Sequence, residues 1–294
     1  MKVTKTKNDR MILYNYLTVA KKVAKLFSDL QNVVAVVIGG SLARGFYDNY
    51  SDIEMYVYYD QKIPTKAEIS DILKKLNSKL NRSKKIFWFH KAWGHHTFFM
   101  VDGIKIELGY REIGETQARM ESFLNEFSLP KHGIHDTPFG HYESGVANCI
   151  LECIPLYTKG DWISKIREKI RIYPIKLKKD NLRYYYQDAK TITKIKIKNA
   201  IHRNDTLLFN ACLAKVIRSM NLCLFALNDV YYPGDKWNHK YISKFAAIPT
   251  DYLIKIDSIL AMDCTLLKNK KVIYNNLNMI ISSIHDLIQA TIEA

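Results

Sequence analysis

Val37-Ile-Gly-Gly-Ser-Leu-Ala-Arg-Gly-Phe-Tyr-Asp-Asn-Tyr-Ser-Asp-Ile-Glu-Met-Tyr-Val57 is the stretch on which the reading of this chain turns. It closes an apolar run beginning at Val33, the length of one buried strand, and breaks it with Gly39, Gly40 and Ser41. Glycine lets a backbone come close to an anion, and helix-start amides with a serine hydroxyl bind phosphate oxygens. A helical turn is expected from Ser41, with Arg44 one turn further on and placed for the same phosphates. After ten intervening residues a second strand pattern begins with Asp52-Ile53-Glu54. Side chains alternate across a strand, so Asp52 and Glu54 share one face while Ile53, Met55 and Val57 take the other. Two adjacent carboxylates repel unless a cation lies between them, and hard oxygen donors select Mg²⁺ or Mn²⁺.

Working outward, residues 11–30 read as a helix, and Ile69, Ile72, Leu73, Leu76 and Leu80 give a helix over about 65–80 one apolar face. Residues 86–90 and 93–101 read as strands. Asp102-Gly103 between alternating segments is a hairpin signal with its tight turn at those two residues. The returning strand, Ile104 to Arg111, alternates apolar residues with Lys105, Glu107, Gly109 and Arg111. Glu107 is thereby a third acid on a neighbouring strand, and a further strand is expected over 150–157. Three acids on adjacent strands beside a phosphate-binding turn suit two-metal phosphoryl or nucleotidyl transfer. One ion there activates a hydroxyl and the other stabilises leaving pyrophosphate.

Gly40-Ser41 followed by Asp52-Ile53-Glu54 and a later strand acid resembles the DNA polymerase beta-like nucleotidyltransferase superfamily. The Tyr50-Ser-Asp-Ile-Glu54 wording is most similar to antibiotic nucleotidyltransferases of the lincosamide and aminoglycoside type. Leu224 to Trp237 also resembles bacterial nucleotidyltransferase-like proteins with a helical second domain. The resemblance implies two Mg²⁺ ions held by Asp52, Glu54 and Glu107 as catalytic residues, and an NTP whose phosphates rest on Gly40 and Ser41. Arg44 and Lys236 are further candidates for the triphosphate. Many superfamily members carry Asp where this chain has Glu54 and Glu107. Glu115 and Glu143 are candidate general bases for the acceptor hydroxyl. His95 and His96, adjacent on a strand, point to opposite faces and form no two-histidine metal site. Cys149 and Cys153, four apart, read as buried thiols.

The chain has 294 residues, a formal charge of +15 and a 48% hydrophobic share, which excludes disordered and fibrous classes. Between Lys165 and Lys198 there are twelve Lys or Arg and three acids, a surplus of nine. In that run Arg183, Gln187, Lys190, Lys194 and Lys198 share a helix face, although Lys194-Ile-Lys-Ile-Lys198 also suits a strand. Pro174 marks a junction; beyond it Ile and Leu recur at helical spacing. The expected fold is α+β: a mixed-sheet catalytic domain over 1–170 and an all-α bundle over 171–294. No unbroken apolar run approaches bilayer length, Val33–Ile38 being the longest, so no membrane partner is expected. Basic residues followed by Met11–Ala20 read as an amphipathic helix rather than a leader. Five cysteines without a CxxC pair favour a reducing cytosol and argue against a disulfide framework or zinc site.

The expected partners are an NTP and a hydroxyl-bearing small molecule such as an antibiotic. Transfer to RNA, in the manner of a toxin that modifies tRNA ends, is the alternative. A catalytically silent nucleotide- or RNA-binding module is a third.

Overall fold

The computed structural model describes residues 7–80, 86–90, 94–126 and 143–293. The chain separates into two compact units, one of Met1–Phe123 with Ser128–Ile172 and one of Leu124–Phe127 with Tyr173–Ala294.

In the first unit, helix α1 (Lys7–Ser28) leads into β1 (Val33–Ile38), the short helix α2 (Gly40–Arg44) and β2 (Ile53–Tyr59). Then come α3 (Lys66–Lys75), β3 (Lys79–Leu80), β4 (Trp88–His90), β5 (Gly94–Val101) and β6 (Ile104–Glu112). Helices α4 (Ile113–Asn125) and α5 (Glu143–Glu152), strand β7 (Ile154–Thr158) and α6 (Trp162–Arg171) follow. The seven strands form one mixed sheet in the order β3-β5-β6-β2-β1-β7, with β4 also pairing β5. Strands β1 and β2 are antiparallel, β2 and β6 parallel, and β5 and β6 an antiparallel hairpin. Asp102 (φ 51°) and Gly103 (φ 79°) close that hairpin in the left-handed turn expected of an Asp-Gly pair.

Alternation gives the sheet two unlike faces. Ile38, Ile53, Met55, Val57, Ile106 and Leu108 are fully buried in a core with Val23 and Phe27 of α1 and Ile69 and Ile72 of α3. On the opposite face Ala35, Val37 and Tyr58 pack with Ile163 and Trp162 of α6. That second face turns polar toward the start of β2 and β6.

Two expected boundaries are corrected. The helix expected to reach residue 80 ends at Lys75, because Asn77 takes φ 49° while its N–H and that of Ser78 bond the Lys74 and Leu73 carbonyls. Asparagine tolerates that conformation, and the cap releases Leu80 into β3. The strand expected over 150–157 begins only at Ile154; residues 150–152 complete α5, with Ile150 buried.

The second unit is helical: α7 (Ile175–Thr191), a π-type segment (Ile192–Ile197) and α8 (Lys198–His202) run on into one another. After them come α9 (Thr206–Leu227), α10 (Asn238–Ile242), α11 (Tyr252–Leu260) and α12 (Leu267–Glu293). Lys194–Lys198 is therefore helical and the strand option is overturned. Helix α9 also corrects the expectation of no bilayer-length apolar segment, being long and apolar enough by length and composition to cross a membrane. Lys215 and Arg218 interrupt its apolar run, which hid it from a search for unbroken stretches. Its Phe209, Val216, Met220, Cys223 and Leu224 are buried, and it packs against α7 and α12.

Candidate functional site

The turn after β1 is built around two glycines. Gly40 has φ 59°, and a Cβ added there would stand 2.3 Å from Glu54 Oε2. No L side chain meets both demands without strain. At Gly39 an added Cβ would meet the Tyr56 ring at 2.5 Å, so that ring occupies the space a side chain would need. The Gly39 N–H donates to the Glu54 carbonyl at 2.8 Å, stitching the turn to β2. Gly45 (φ 73°) closes α2, and Phe46 N–H returns to the Ser41 carbonyl at 2.9 Å. Ser41 is half-buried, and among the described residues its hydroxyl makes no hydrogen bond. Asp48 Oδ1 accepts from Tyr50 N–H (2.9 Å) and Ser51 Oγ–H (3.0 Å), and the Tyr16 hydroxyl donates to the Ser51 carbonyl (2.8 Å). The loop that delivers Asp52 is thus fixed from both sides.

Strand register does the rest. In the parallel β2–β6 pair, Ile53 stands opposite Ile106, Glu54 opposite Glu107 and Tyr56 opposite Gly109. Apolar residues meet apolar on the core face. On the other face the Glu54 and Glu107 side chains stand side by side, with Asp52 one step earlier beside Lys105. Across the hairpin, Glu107 is paired with Phe98, and His96 with Gly109. All three sequence-expected acids therefore lie on one face, at the edge of the turn that carries Gly40 and Ser41.

Each of two acids already has a partner. Lys105 Nζ lies 2.6 Å from Asp52 Oδ2 in a half-buried ion pair. His96, 7% exposed, places Nδ1 3.1 Å from Glu107 Oε1. His96 is not singled out from the sequence for this site, and Lys105 is considered there only as a partner of Glu107, not of Asp52. The Asp102-Gly103 turn held the signal: it fixes the β5–β6 register and so puts His96 and Phe98 on the face of Glu107. Burial raises the Tyr56 hydroxyl well above its ordinary pKa, with the Cys149 thiol and the Glu54 carboxylate adding to the rise. The Arg111 guanidinium, 5.2 Å from that ring's centre, opposes it.

The donors fit a divalent cation in kind, being carboxylate oxygens on neighbouring strands, and the glycine at 40 leaves room beside Glu54. Among the described residues no three acidic, histidine or cysteine side chains gather closely enough to hold an ion. Asp52 is ion-paired with Lys105, and Glu107 lies against His96.

Other expected residues fall elsewhere. Arg44 ends α2, half-buried, near enough to the Cys149 thiol to oppose the rise that burial causes there. Lys236 belongs to the helical unit and is exposed on the loop after α9, whose Asp235 is held by Arg218 (3.0 Å) and the Tyr232 hydroxyl (2.6 Å). Glu143 is buried and ion-paired with Arg119, while Glu115 is exposed at the start of α4. His95 packs edge-on against Phe87 at 5.4 Å, on the face opposite His96. Cys149 and Cys153 are free thiols.

Residues 20–94 match the family described as nucleotidyltransferase domain. Residues 155–238 match one described as a domain of unknown function, DUF4037. No curated protein matches the chain. Among solved structures, a nucleotidyltransferase-like protein from Exiguobacterium sibiricum 255-15 is similar at 7% identity and TM-score 0.45, over 91% of this chain and 75% of that one. The Thermotoga maritima CCA-adding enzyme, complexed with tRNA, is similar at 11% identity and TM-score 0.30, over 94% of this chain and 81% of that one. The CdnC component of an E. coli MS115-1 complex with HORMA-deltaN is similar at 12% identity and TM-score 0.27, over 90% of each chain. At TM-scores below 0.5 none of these likenesses bears on activity.

Proposed function

We propose that the chain moves an NMP from an NTP to a hydroxyl of a small-molecule acceptor, a reading supported by the match of residues 20–94 to the nucleotidyltransferase domain family. The observation that carries this is the placement of Asp52, Glu54 and Glu107 on one sheet face, through the β2–β6 register, beside the turn of Gly40 and Ser41. Those three carboxylates are the residues that would hold Mg²⁺, or Mn²⁺ in its place. Two ions held there would supply activation of the attacking hydroxyl and neutralisation of the leaving pyrophosphate.

The chain's own part is positional. Gly40 lets the turn approach the β- and γ-phosphates without a side chain in the way, and the Ser41 hydroxyl is free to donate to them. Lys105 and His96 exchange their hold on Asp52 and Glu107 for the substrate complex, and Arg44 adds positive charge beside the turn. Residues 1–170 act as the catalytic domain and 171–294 as the substrate domain, with Lys236 a candidate for the triphosphate. The free thiols suit a cytoplasmic setting.

The Tyr50–Glu54 resemblance favours an aminoglycoside- or lincosamide-like acceptor. A second reading, transfer to RNA, is favoured by the basic run over 165–198. Pyrophosphate release from each NTP, measured against a panel of hydroxylated antibiotics and against total RNA, tests both. Release with an antibiotic that Asp52→Asn abolishes is the expected result. Label entering only RNA selects the second reading, and no release with any acceptor overturns nucleotidyl transfer.

A further inference from the structure

From Ala189 to Asn204 the chain has no acidic residue, and this is where α7 gives way to the π-type segment and α8. Lys194, Lys196, Lys198 and Arg203 are exposed, and among the described residues none of them meets a carboxylate within ion-pair distance. Nearby cations differ: Lys178 pairs with Asp229 at 2.9 Å, and Lys215 lies 3.4 Å from Asp188. Asp188 is further occupied by the Ser219 hydroxyl at 2.7 Å. Exposed cations without a described carboxylate partner occur elsewhere in the helical unit, at Lys240, Lys268 and Lys271, but here three of them fall within five residues.

The π-type segment sets its geometry. In an α-helix, residues four apart drift by about 40° per step, so a basic residue at every fourth position spirals away from any one line. A π turn, with its i to i+5 bonding and roughly 4.4 residues per turn, drifts the other way. Ile192–Ile197 spans much of the interval from Lys190 to Lys198, and the two drifts nearly cancel. Lys190, Lys194 and Lys198 consequently stand in a column parallel to the helix axis, about 6 Å apart, with Arg183 continuing it toward the N-terminal end. Buried Ala189, Thr193 and Ile197 form the matching stripe on the core side. Where the column begins, an open groove of about 590 Å³ is lined by Asp180, Arg183, Tyr184, Gln187, Asp188 and Thr191.

We infer that the α7–α8 column is a binding surface for single-stranded RNA, its phosphates following Arg183, Lys190, Lys194 and Lys198 and its bases entering the groove. A row of cations without carboxylate partners, Lys190 being half-buried with its ammonium 5.4 Å from the centre of the Tyr186 ring, matches a polyanionic backbone, which accounts for most of the affinity of such contacts. Tyr184, 37% exposed and edge-on to Tyr185 at 5.1 Å, lines the groove as the aromatic against which a base would stack. Gln187 and the carboxylate of Asp180 supply acceptors for the 2′-hydroxyl and base N–H groups. A lipid surface is disfavoured because Ile195 is the one apolar side chain exposed within the acid-free stretch. The inference concerns binding and is independent of what the acids of β2 and β6 transfer, or to what.

The test is fluorescence anisotropy with a 20-nucleotide unstructured RNA, from 50 to 200 mM salt, on the full chain. The triple variant Lys190→Gln, Lys194→Gln, Lys198→Gln should weaken binding about 100-fold at 0.1 M salt. It should also flatten the slope of log K against log salt by about 2, at about 0.7 counterion per lost contact. A control with the same charge loss on α3, Lys66→Gln, Lys74→Gln, Lys75→Gln, should change affinity less than about threefold. Asp52→Asn should bind RNA normally, which separates failure of this inference from failure of nucleotidyl transfer. Equal weakening by both triples overturns the column in favour of diffuse attraction, as does no weakening by the first. Equal or tighter binding of DNA of the same sequence, or of duplex RNA, overturns the single-stranded RNA assignment.

Discussion

The face of the sheet at β2 and β6 and the outer face of α7–α8 both concentrate charge of one sign, but they handle it oppositely. On the sheet, strand register brings Asp52, Glu54 and Glu107 together, and Lys105 and His96 answer two of them from the same hairpin. On the helix, periodicity lines up Lys190, Lys194 and Lys198, and no described carboxylate answers Lys194 or Lys198. Like charges brought close in a half-buried site must be compensated within the fold, since the partial dielectric there strengthens their repulsion. Like charges spread at about 6 Å along an exposed helix are screened by water and salt and can wait for a ligand. Compensation thus marks the site whose geometry must be held before substrate arrives, and its absence marks a surface that gains by meeting a polyanion.

The sharpest way to break this contrast is at the acids. Asp52→Asn or Glu54→Gln should lower nucleotidyl transfer at least about 10³-fold, the scale of a lost electrostatic contact to a transition state. Thermal melting should move little, and RNA binding by the helical column not at all. Radiolabelled transfer assays and melting curves on the same preparations check both halves.

Gly40→Ala comes next. The left-handed backbone and the clash with Glu54 together should cost about 2–4 kcal/mol of stability, read by urea unfolding. Gly234, with φ 109° but nothing within 4 Å of an added Cβ, should lose less on the same substitution because only the backbone term remains.

Lys105→Met removes the internal counter-ion of Asp52. Mn²⁺ affinity measured by calorimetry should then rise, by roughly tenfold, because the ion no longer displaces an ammonium from the carboxylate. A fall in affinity would mean that Lys105 helps to hold the site open. Stability without metal should change by no more than about 1 kcal/mol, since the pair is partly exposed.

The smallest effect is alkaline. Burial pushes the Cys149 thiol up to about 12, so it stays neutral in the folded chain where an unfolded thiol ionises near pH 9. A raised folded pKa contributes stability that is complete below the unfolded value and is lost as pH climbs from about 9 toward 12. Urea unfolding at pH 8 and pH 10 should show the decline, and Cys149→Ala should make it shallower. A thiol reagent at pH 8 should label Cys149 slowly until the chain unfolds.

Much of the sheet unit was legible residue by residue. Gly39-Gly40 ended β1, Asp-Ile-Glu alternation oriented Asp52 and Glu54, and Asp102-Gly103 placed the hairpin turn. Each of these is a local conformational preference, or a consequence of the two-residue repeat of a strand, and needs no knowledge of distant contacts. What failed was also local in origin. The end of α3 hinged on a cap at Asn77 that competes with an apolar pattern running on to Leu80. The Lys194–Lys198 alternation suits a strand as a sequence pattern, but Ile195 is exposed and Ile197 buried, so no two-residue periodicity of burial stands behind it.

By itself, then, the sequence determined the α+β order of elements, the turn at Gly40 and Ser41, and which acids share a strand face. Backbone sterics and side-chain alternation act over a few residues, so these were present in the linear chain. The parallel pairing of β2 with β6, across about fifty residues, was decided by tertiary structure alone. That pairing set Glu54 beside Glu107 and Asp52 beside Lys105. Its register follows from burying Ile53, Met55, Ile106 and Leu108 on one core, a cooperative packing outcome that no local window contains. The same holds for the lysine column, where the residues are written in sequence but their alignment exists only because the helix takes one wider turn.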